Sequence, residues 1–405
     1  MVEKEKLIKN DSNKKKEQKS SSKSGIFTYI VGAYGALVTG ILVALLVSKY
    51  EPESFSIPPP PKFEGPLALN KKLQGAELLL KDQVKGPESL IVEGDTIYVA
   101  PEDGRILKVV NGKIVKEVIL VDDKVCQTSE GRFKNLEKCG RPLGMRQLNK
   151  DLIIFADAYL GIVTVDVEKG KTNILLAGDA VVDGVQMKFA DDLDVLDENT
   201  VIFSDASTKY QYKTCVYGYL ESKPDGRIIQ LNIKTKEAKV LLEGLYFPNG
   251  VQLFPDKQSF LVSETHRDRL KRFYISGPKK GQQEIFVNNL PGAPDNVRLN
   301  SRGNFYVAIA YTRHPDKFFL WDFLGPYPWV RNLILQLIPD SYLTAFQLSF
   351  IHKHGLVVEI DNNGKYISSL HDPTGVVKFL SEVHETDKYI YVASFNQPHI
   401  ARVTK

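Results

Sequence analysis

Cysteine, methionine and tryptophan are scarce in this chain: 405 residues contain three, three and two of them. Three cysteines are too few for a disulfide-dense mini-domain, so the fold must rest on a core of its own. Charge of one sign is lacking too, because a net charge of +4 is small for this length and much of it is local. No Gly-x-Ser-x-Gly elbow and no Ser-His-Asp order is evident, which removes the usual sequence marks of a serine hydrolase. The single Asn-x-Ser/Thr sequon, Asn10-Asp11-Ser12, lies in the N-terminal tail, so glycosylation of the folded domain is not expected.

What is present begins with a charge-free run. Residues 25–48 contain no Asp, Glu, Lys or Arg. As a helix they would extend roughly 36 Å, enough for a hydrocarbon core of about 30 Å with some tilt. A cleavable signal peptide is the alternative. The apolar stretch exceeds the usual length of an h-region, the preceding segment is long, and no clear small-x-small site precedes Lys49. The reading is therefore an uncleaved signal anchor. Residues 1–24 form a polar tail with eight lysines against four acids, expected to be disordered. A nucleic-acid-binding arm is the sharper reading of those lysines, but lysines beside a span serve topology, and no nucleic-acid partner is expected. They place the N-terminus in the cytosol and the remainder in the lumen or outside the cell, as a single-pass type II membrane protein at the plasma membrane or an endomembrane. Residues 49–65, with Pro52 and the run from Pro58 to Pro61, are expected to form a stiff spacer lifting the domain off the bilayer.

Cysteine placement fits an oxidising compartment. Cys126 and Cys139 are separated by a polar stretch over which a disulfide closes easily, and they are expected to pair. Cys215 is left over as a quiet free thiol.

From residue 66 to 405 one pattern returns six times: a short segment with a polar or special residue, then a β-branched or aromatic strand ending in Ala or Ser. Examples are Ala190-Asp191-Asp192-Leu193 with Val201-Ile202-Phe203-Ser204, and Pro294-Asp295-Asn296-Val297 with Phe305-Tyr306-Val307-Ala308. Such a repeat predicts an all-β, six-bladed β-propeller preceded by a single N-terminal transmembrane helix. The last copy lacks an outer strand, and residues 75–80 are the natural donor, since an open edge is a pairing hazard. From Asp295 to Ser381 the spacing grows to 86 residues, and the excess contains an apolar stretch, 330–338, that reads as a short helix. It is a lid over the channel mouth, an interfacial membrane contact, or a helix packed on a blade face.

The register superposes Glu88, Leu143, Asp191, Asn249, Asp295 and Ser381, at positions that converge on a propeller axis. Uncompensated carboxylates crowded there raise one another's pKa values, and a bound cation resolves the conflict. Oxygen ligands without Cys or His point to Ca²⁺ rather than Zn²⁺. Capping of strands and turns is the plainer role for such residues.

Several ordered motifs resemble the strictosidine synthase-like propellers: Tyr246-Phe247-Pro248-Asn249-Gly250-Val251, Pro291-Gly292-Ala293-Pro294-Asp295-Asn296-Val297-Arg298, Cys139-Gly140-Arg141-Pro142-Leu143-Gly144 and Ser381-Glu382-Val383-His384-Glu385. The resemblance implies a fold akin to paraoxonases and gluconolactonases, with axial calcium held by Glu, Asn and Asp. Glu88, Asn249, Asp295 and Asn296 fall on that pattern. Asp191 stands where relatives usually have Asn. Alkaloid-forming members place a glutamate base where this chain has Ser381, which argues against Pictet–Spengler condensation. The resemblance implies instead an arylesterase-like hydrolase, which would act on a small-molecule ester or lipid-like ligand. His384, which follows the ring in the sixth repeat, and His266 are candidate bases, an ordinary structural histidine being the plainer role for each. A non-catalytic, membrane-anchored propeller that binds a protein or lipid partner is the competing class.

Overall fold

The computed structural model describes residue 10 and residues 27–405. Apart from Asn10, the lysine tail and the first two residues of the expected span lie outside the described residues. Helix α1, Phe27–Leu46, is 20 residues long with a mean hydropathy of 2.1, and none of it is buried against the domain. Among the described residues it is the one helix long and apolar enough to cross a membrane.

Runs such as Ile153-Ile154-Phe155-Ala156, apolar on both faces, can only be strands covered on both sides. They lie in six four-stranded antiparallel sheets, accompanied by one two-stranded ribbon. The innermost strands are Ser89–Glu93, Pro142–Gln147, Ala190–Asp197, Pro248–Leu253, Gly292–Leu299 and Leu380–Glu385. Each neighbours the next in chain order, and the last neighbours the first, so the sheets stand radially around an axis. The core fills the seams between sheets. Leu90, Val92, Val99 and Leu107 of the first sheet, for example, pack with Ala393 and Ile400 of the last.

Closure follows the expected device. Glu77–Leu79 pairs antiparallel with Ile400–Thr404, with Glu77 opposite Arg402 and a 2.5 Å ion pair between them. The two ends of the domain thus hold each other, and the last sheet gains its fourth strand. Cys126 and Cys139 form the expected disulfide, Cα–Cα 5.5 Å, around the short helices α2 (Ser129–Lys134) and α3 (Leu136–Cys139). The Arg132 guanidinium fills that loop and donates to both cysteine carbonyls.

The spacer is extended, as its prolines require, but it lies along the domain instead of lifting it away. Glu53 and Phe55 donate their N–H groups to Glu221 O and Gly325 O, and the Pro58 and Pro59 carbonyls accept from Arg313 and Asn289. Phe55 and Phe63 supply apolar anchors that proline content alone does not reveal: Phe55 lies against Arg267 and Arg331, and Phe63 against three histidines.

Two insertions carry the remaining helices. One contains α4 (Cys215–Glu221), between the second and third strands of the third sheet. The other, between Phe305–Thr312 and Gly355–Ile360 in the fifth sheet, contains α5 (Leu320–Leu324), α6 (Pro328–Leu337) and α7 (Asp340–Ser349). Helix α6 covers the predicted apolar helix almost residue for residue. Since each inner strand runs away from one end and the second returns to it, both insertions stand at the end where the inner strands begin. They share a core of Leu220, Trp321, Leu335 and Leu343.

Candidate functional site: an axial ring of oxygens

The inner strands begin at the ring positions, and five of the six carry a β-bulge there. A bulge turns two successive residues toward the same region, so the axis receives both members of pairs such as Asp191-Asp192 and Asp295-Asn296. In the second and fourth inner strands, close approach of the next inner strand requires glycine after the ring position. A methyl group on Gly144 would stand 2.0 Å from Asp192 Oδ1, and one on Gly250 would stand 2.6 Å from Asn296 Cα.

Glu88, Asp191, Asn249, Asp295 and Asn296 are all buried and are brought together. Asn296 Nδ2 donates to Glu88 Oε1 at 2.8 Å. Burial, followed by the charges of Asp295 and Asp191, pushes the Glu88 carboxyl well above the carboxylate range. Burial and then Asp191 do the same to Asp295, with a hydrogen bond from Asn249 working the other way. Asp191 is raised by burial and by Asp192. Three acceptor atoms of this set are buried without a hydrogen-bond partner: Glu88 Oε2, Asn249 Oδ1 and Asn296 Oδ1. Among the described residues no three His, Cys, Asp or Glu side chains form a metal cage by themselves; the convergence here mixes carboxylates with amide oxygens. Orphaned, buried acceptors beside protonation-prone carboxylates fit a hard cation that takes oxygen ligands.

The adjoining register position holds a second polar layer that the alternation of strand residues did not show. Arg298 donates to Asp192 Oδ2 and Oδ1 at 2.7 and 3.0 Å, and to Glu382 Oε2 at 2.5 Å. Arg146 stands 3.4 Å from Asp192 Oδ1. Burial alone would raise Asp192, but these two arginines hold it below the usual carboxylate range. Two guanidiniums, Arg298 and Arg146, thus face Asp192, Glu382 and Asp194, the last 3.4 Å from Arg146 Nε, so each carboxylate of this layer has an arginine partner. The ring proper has only Arg141 felt by Asp191 as a compensating charge, and that guanidinium is occupied with the carbonyls of Pro142 and Gly86.

The remaining ring positions are closed to chemistry. Ser381 Oγ donates to the Glu88 carbonyl at 2.6 Å, and Leu143 is apolar and buried. His266 packs at the ring end of the domain, stacked on Phe247 at 4.5 Å and edge-on to Tyr219; burial drives its pKa well below the ordinary value. His384 lies at the far end of its inner strand and lines a groove of about 700 Å³ with Val92, Asn111, Tyr389 and Arg402. Burial there pushes it down to about 4. The two histidines are not brought together. Cys215, partly exposed at the start of α4, is pushed up to about 12 by burial and then by Asp191, so it stays a thiol.

The radial arrangement of four-stranded sheets is a fold shared with solved gluconolactonase-type propellers. A gluconolactonase from Xanthomonas campestris superposes with a TM-score of 0.53 at 15% identity, covering 88% of this chain and 99% of its own. Regucalcin from Agrobacterium tumefaciens, described as a calcium-binding protein, gives 0.51 at 10% identity over 80% and 92%. In sequence, residues 191–278 match the strictosidine synthase model and residues 65–109 the strictosidine synthase-like N-terminal model. The adipocyte plasma membrane-associated protein of Gallus gallus is 39% identical over 361 residues, 89% of this chain and 85% of its own. That of Homo sapiens is 37% identical over 89% and 85%. The chain belongs to the adipocyte plasma membrane-associated protein family.

Proposed function

We propose that the chain is a six-bladed, calcium-centred propeller on a single-pass type II membrane anchor, and that it acts as an arylesterase-like hydrolase rather than a strictosidine synthase. The three unpartnered acceptors, Glu88 Oε2, Asn249 Oδ1 and Asn296 Oδ1, carry this reading. With Asp295 and Asp191 they would hold the ion. When bound, calcium supplies Lewis-acid polarisation of an ester carbonyl and charge against its developing oxyanion. The chain's own part is orientation and exclusion of water. Asn296 fixes Glu88, Ser263 Oγ fixes the Asp295 backbone by a 2.6 Å bond to its carbonyl, and Ser204 Oγ does the same for Asn249 at 2.7 Å. Tyr311, whose hydroxyl burial raises and which lies close enough to Asp295 to feel its charge, belongs to the same core that underlies the helices above the ring. Ser381, tied to a backbone carbonyl, offers no base for an alkaloid condensation. The orientation rests on eight lysines ahead of α1, and the family's name supports a plasma-membrane setting.

Purified full-length protein should hydrolyse simple aryl esters in a metal-dependent way, with activity and bound calcium both lost in Glu88→Gln and Asp295→Asn. No turnover in the calcium-loaded wild type would sink the hydrolase. A non-catalytic binding propeller is favoured by one observation: His266 is packed among aromatic rings and His384 lies at the far end of its strand from the ring, so neither stands free beside it. On that reading the same variants lower thermal stability and nothing else.

A further inference from the structure

We propose that helices α5–α7 dock on the same bilayer that receives α1, seating an aromatic face at headgroup level above the ring end of the domain. The inference rests on α1 being a membrane anchor.

The tether is short. From Leu46, where α1 ends, to Tyr50 is four residues, which reach no more than about 14 Å even when fully extended. Tyr50 is already part of the helical cap. Its carbonyl accepts from Asn332 Nδ2 of α6 at 2.8 Å, its ring stacks on Tyr217 of α4 at 5.5 Å, and Glu51 N–H donates to Glu221 at 3.0 Å. The cap is thereby held within about two headgroup depths of the hydrocarbon, since that layer is roughly 5–8 Å deep.

The cap's outer surface suits that position. From Phe323 to Ile351 the chain has two charged residues, Arg331 and Asp340. Arg331 is buried, and Asp340 accepts from the Tyr217 hydroxyl. Large apolar groups face outward instead: Phe318 is 64% exposed, Trp329 52%, Leu337 73% and Tyr342 66%. Several touch one another, with Phe318 and Phe323 5.5 Å apart and Phe323 and Tyr327 5.6 Å apart. Exposed apolar groups gathered on one small helical cap mark a binding face, and Trp, Tyr and Lys together are the residues of a membrane interface. Lysines flank the junction: Lys49, Lys209, Tyr50 and Tyr210 line a pocket of about 340 Å³ at the base of the tether. A bilayer is the occupant because α1 leaves no room to hold it far away.

Nature has supplied the probe. The chain has two tryptophans; Trp321 is buried inside the cap, whereas Trp329 lies on the exposed face. Full-length protein is reconstituted into phosphatidylcholine vesicles whose acyl chains are brominated near the headgroup, and its fluorescence is compared with that in unbrominated vesicles. The expected result is quenching of a component that disappears in Trp329→Phe, an exposed and conservative change. Carbonate washing of the same vesicles separates the two premises. A chain released by carbonate overturns both the anchor and the docking. A chain that is retained while Trp329 is unquenched overturns the docking alone, and a cross-link through Trp329-side residues then identifies a second copy as what covers the face.

Discussion

Asn296 Nδ2 donates to Glu88 Oε1 at 2.8 Å, joining the fifth sheet to the first across the axis. The bond leaves Asn296 Oδ1 and Glu88 Oε2 as the free acceptors and fixes how they point. An Asn296→Ala substitution removes one proposed ligand and releases another. Calcium affinity by titration calorimetry should fall by about 10- to 100-fold or more, the range seen when an orienting partner of a metal ligand is lost. An unchanged affinity would remove both residues from the site.

Arg298 compensates Asp192 and Glu382 at once, and all three side chains are buried or nearly so. Deleting one partner of such a group strands a buried charge, at a cost of about 3–5 kcal/mol. Arg298→Leu is expected to lower stability by that order in urea unfolding. Adding Asp192→Asn and Glu382→Gln to it should recover much of the loss. Failure of the triple variant to recover would show that Arg298 acts through packing.

How this layer escaped the sequence is a matter of bulges. Strict alternation assigns Asp191 and Asp192 to opposite faces, and Ser381 and Glu382 likewise. The register shift between Ala190 and Leu193, and the one between Leu380 and Glu382, break the alternation just where the strands enter the axis. The ring itself was legible because equivalent positions of a repeat converge whatever the local bulge. The repeated terminal Ala or Ser also gains a reason. Ser204 and Ser263 stand where the next sheet's ring residue approaches, and their hydroxyls take the carbonyls of Asn249 and Asp295. Helix α4 and the course of the spacer were not legible. Their apolar faces are completed by α6 and by Phe55, Phe63 and Tyr50, more than 100 residues away in the chain, and no local period records such a partner.

The histidines around Phe63 make the spacer sensitive to acid. His354 Nε2 and His371 Nδ1 share a hydrogen bond at 2.9 Å, and His314 completes the set of rings around Phe63. Burial, followed for His354 by neighbouring His371 and His314, pushes both members of the pair down to about 4. Unfolded, each returns to about 6.5. Between those values the unfolded chain binds more protons, so the pair's contribution is fully present above pH 6.5 and is lost as pH falls toward 4. The melting temperature should drop over that window, and His371→Gln should flatten the drop. A variant with the wild-type pH profile would assign the effect elsewhere.

Arg331 tests whether the spacer is a fixed part of the domain. The residue is 1% exposed, and its guanidinium gives its hydrogen bonds to carbonyls: Leu220 of α4, Leu324 and Gly325 at the turn before α6, and Glu53 of the spacer. Burial, then the charge of Arg267, pushes it down to about 10, so it remains a cation. Phe55 lies between these two guanidiniums, 4.8 Å from each, and closes on Gly325 so tightly that a methyl group there would stand 2.7 Å from the Phe55 carbonyl. Arg331→Met keeps the stem but removes the donor to all four carbonyls, of which Gly325 O keeps the Phe55 N–H and Leu324 O the Tyr327 N–H; the loss should cost about 2–4 kcal/mol. The loss should be local. The amides of Glu53 and Phe55, bonded to Glu221 O and Gly325 O, should lose hydrogen-exchange protection while the inner strands keep theirs. Amides that exchange as slowly as in the wild type would show that Phe63 and Leu67 hold the spacer without Arg331.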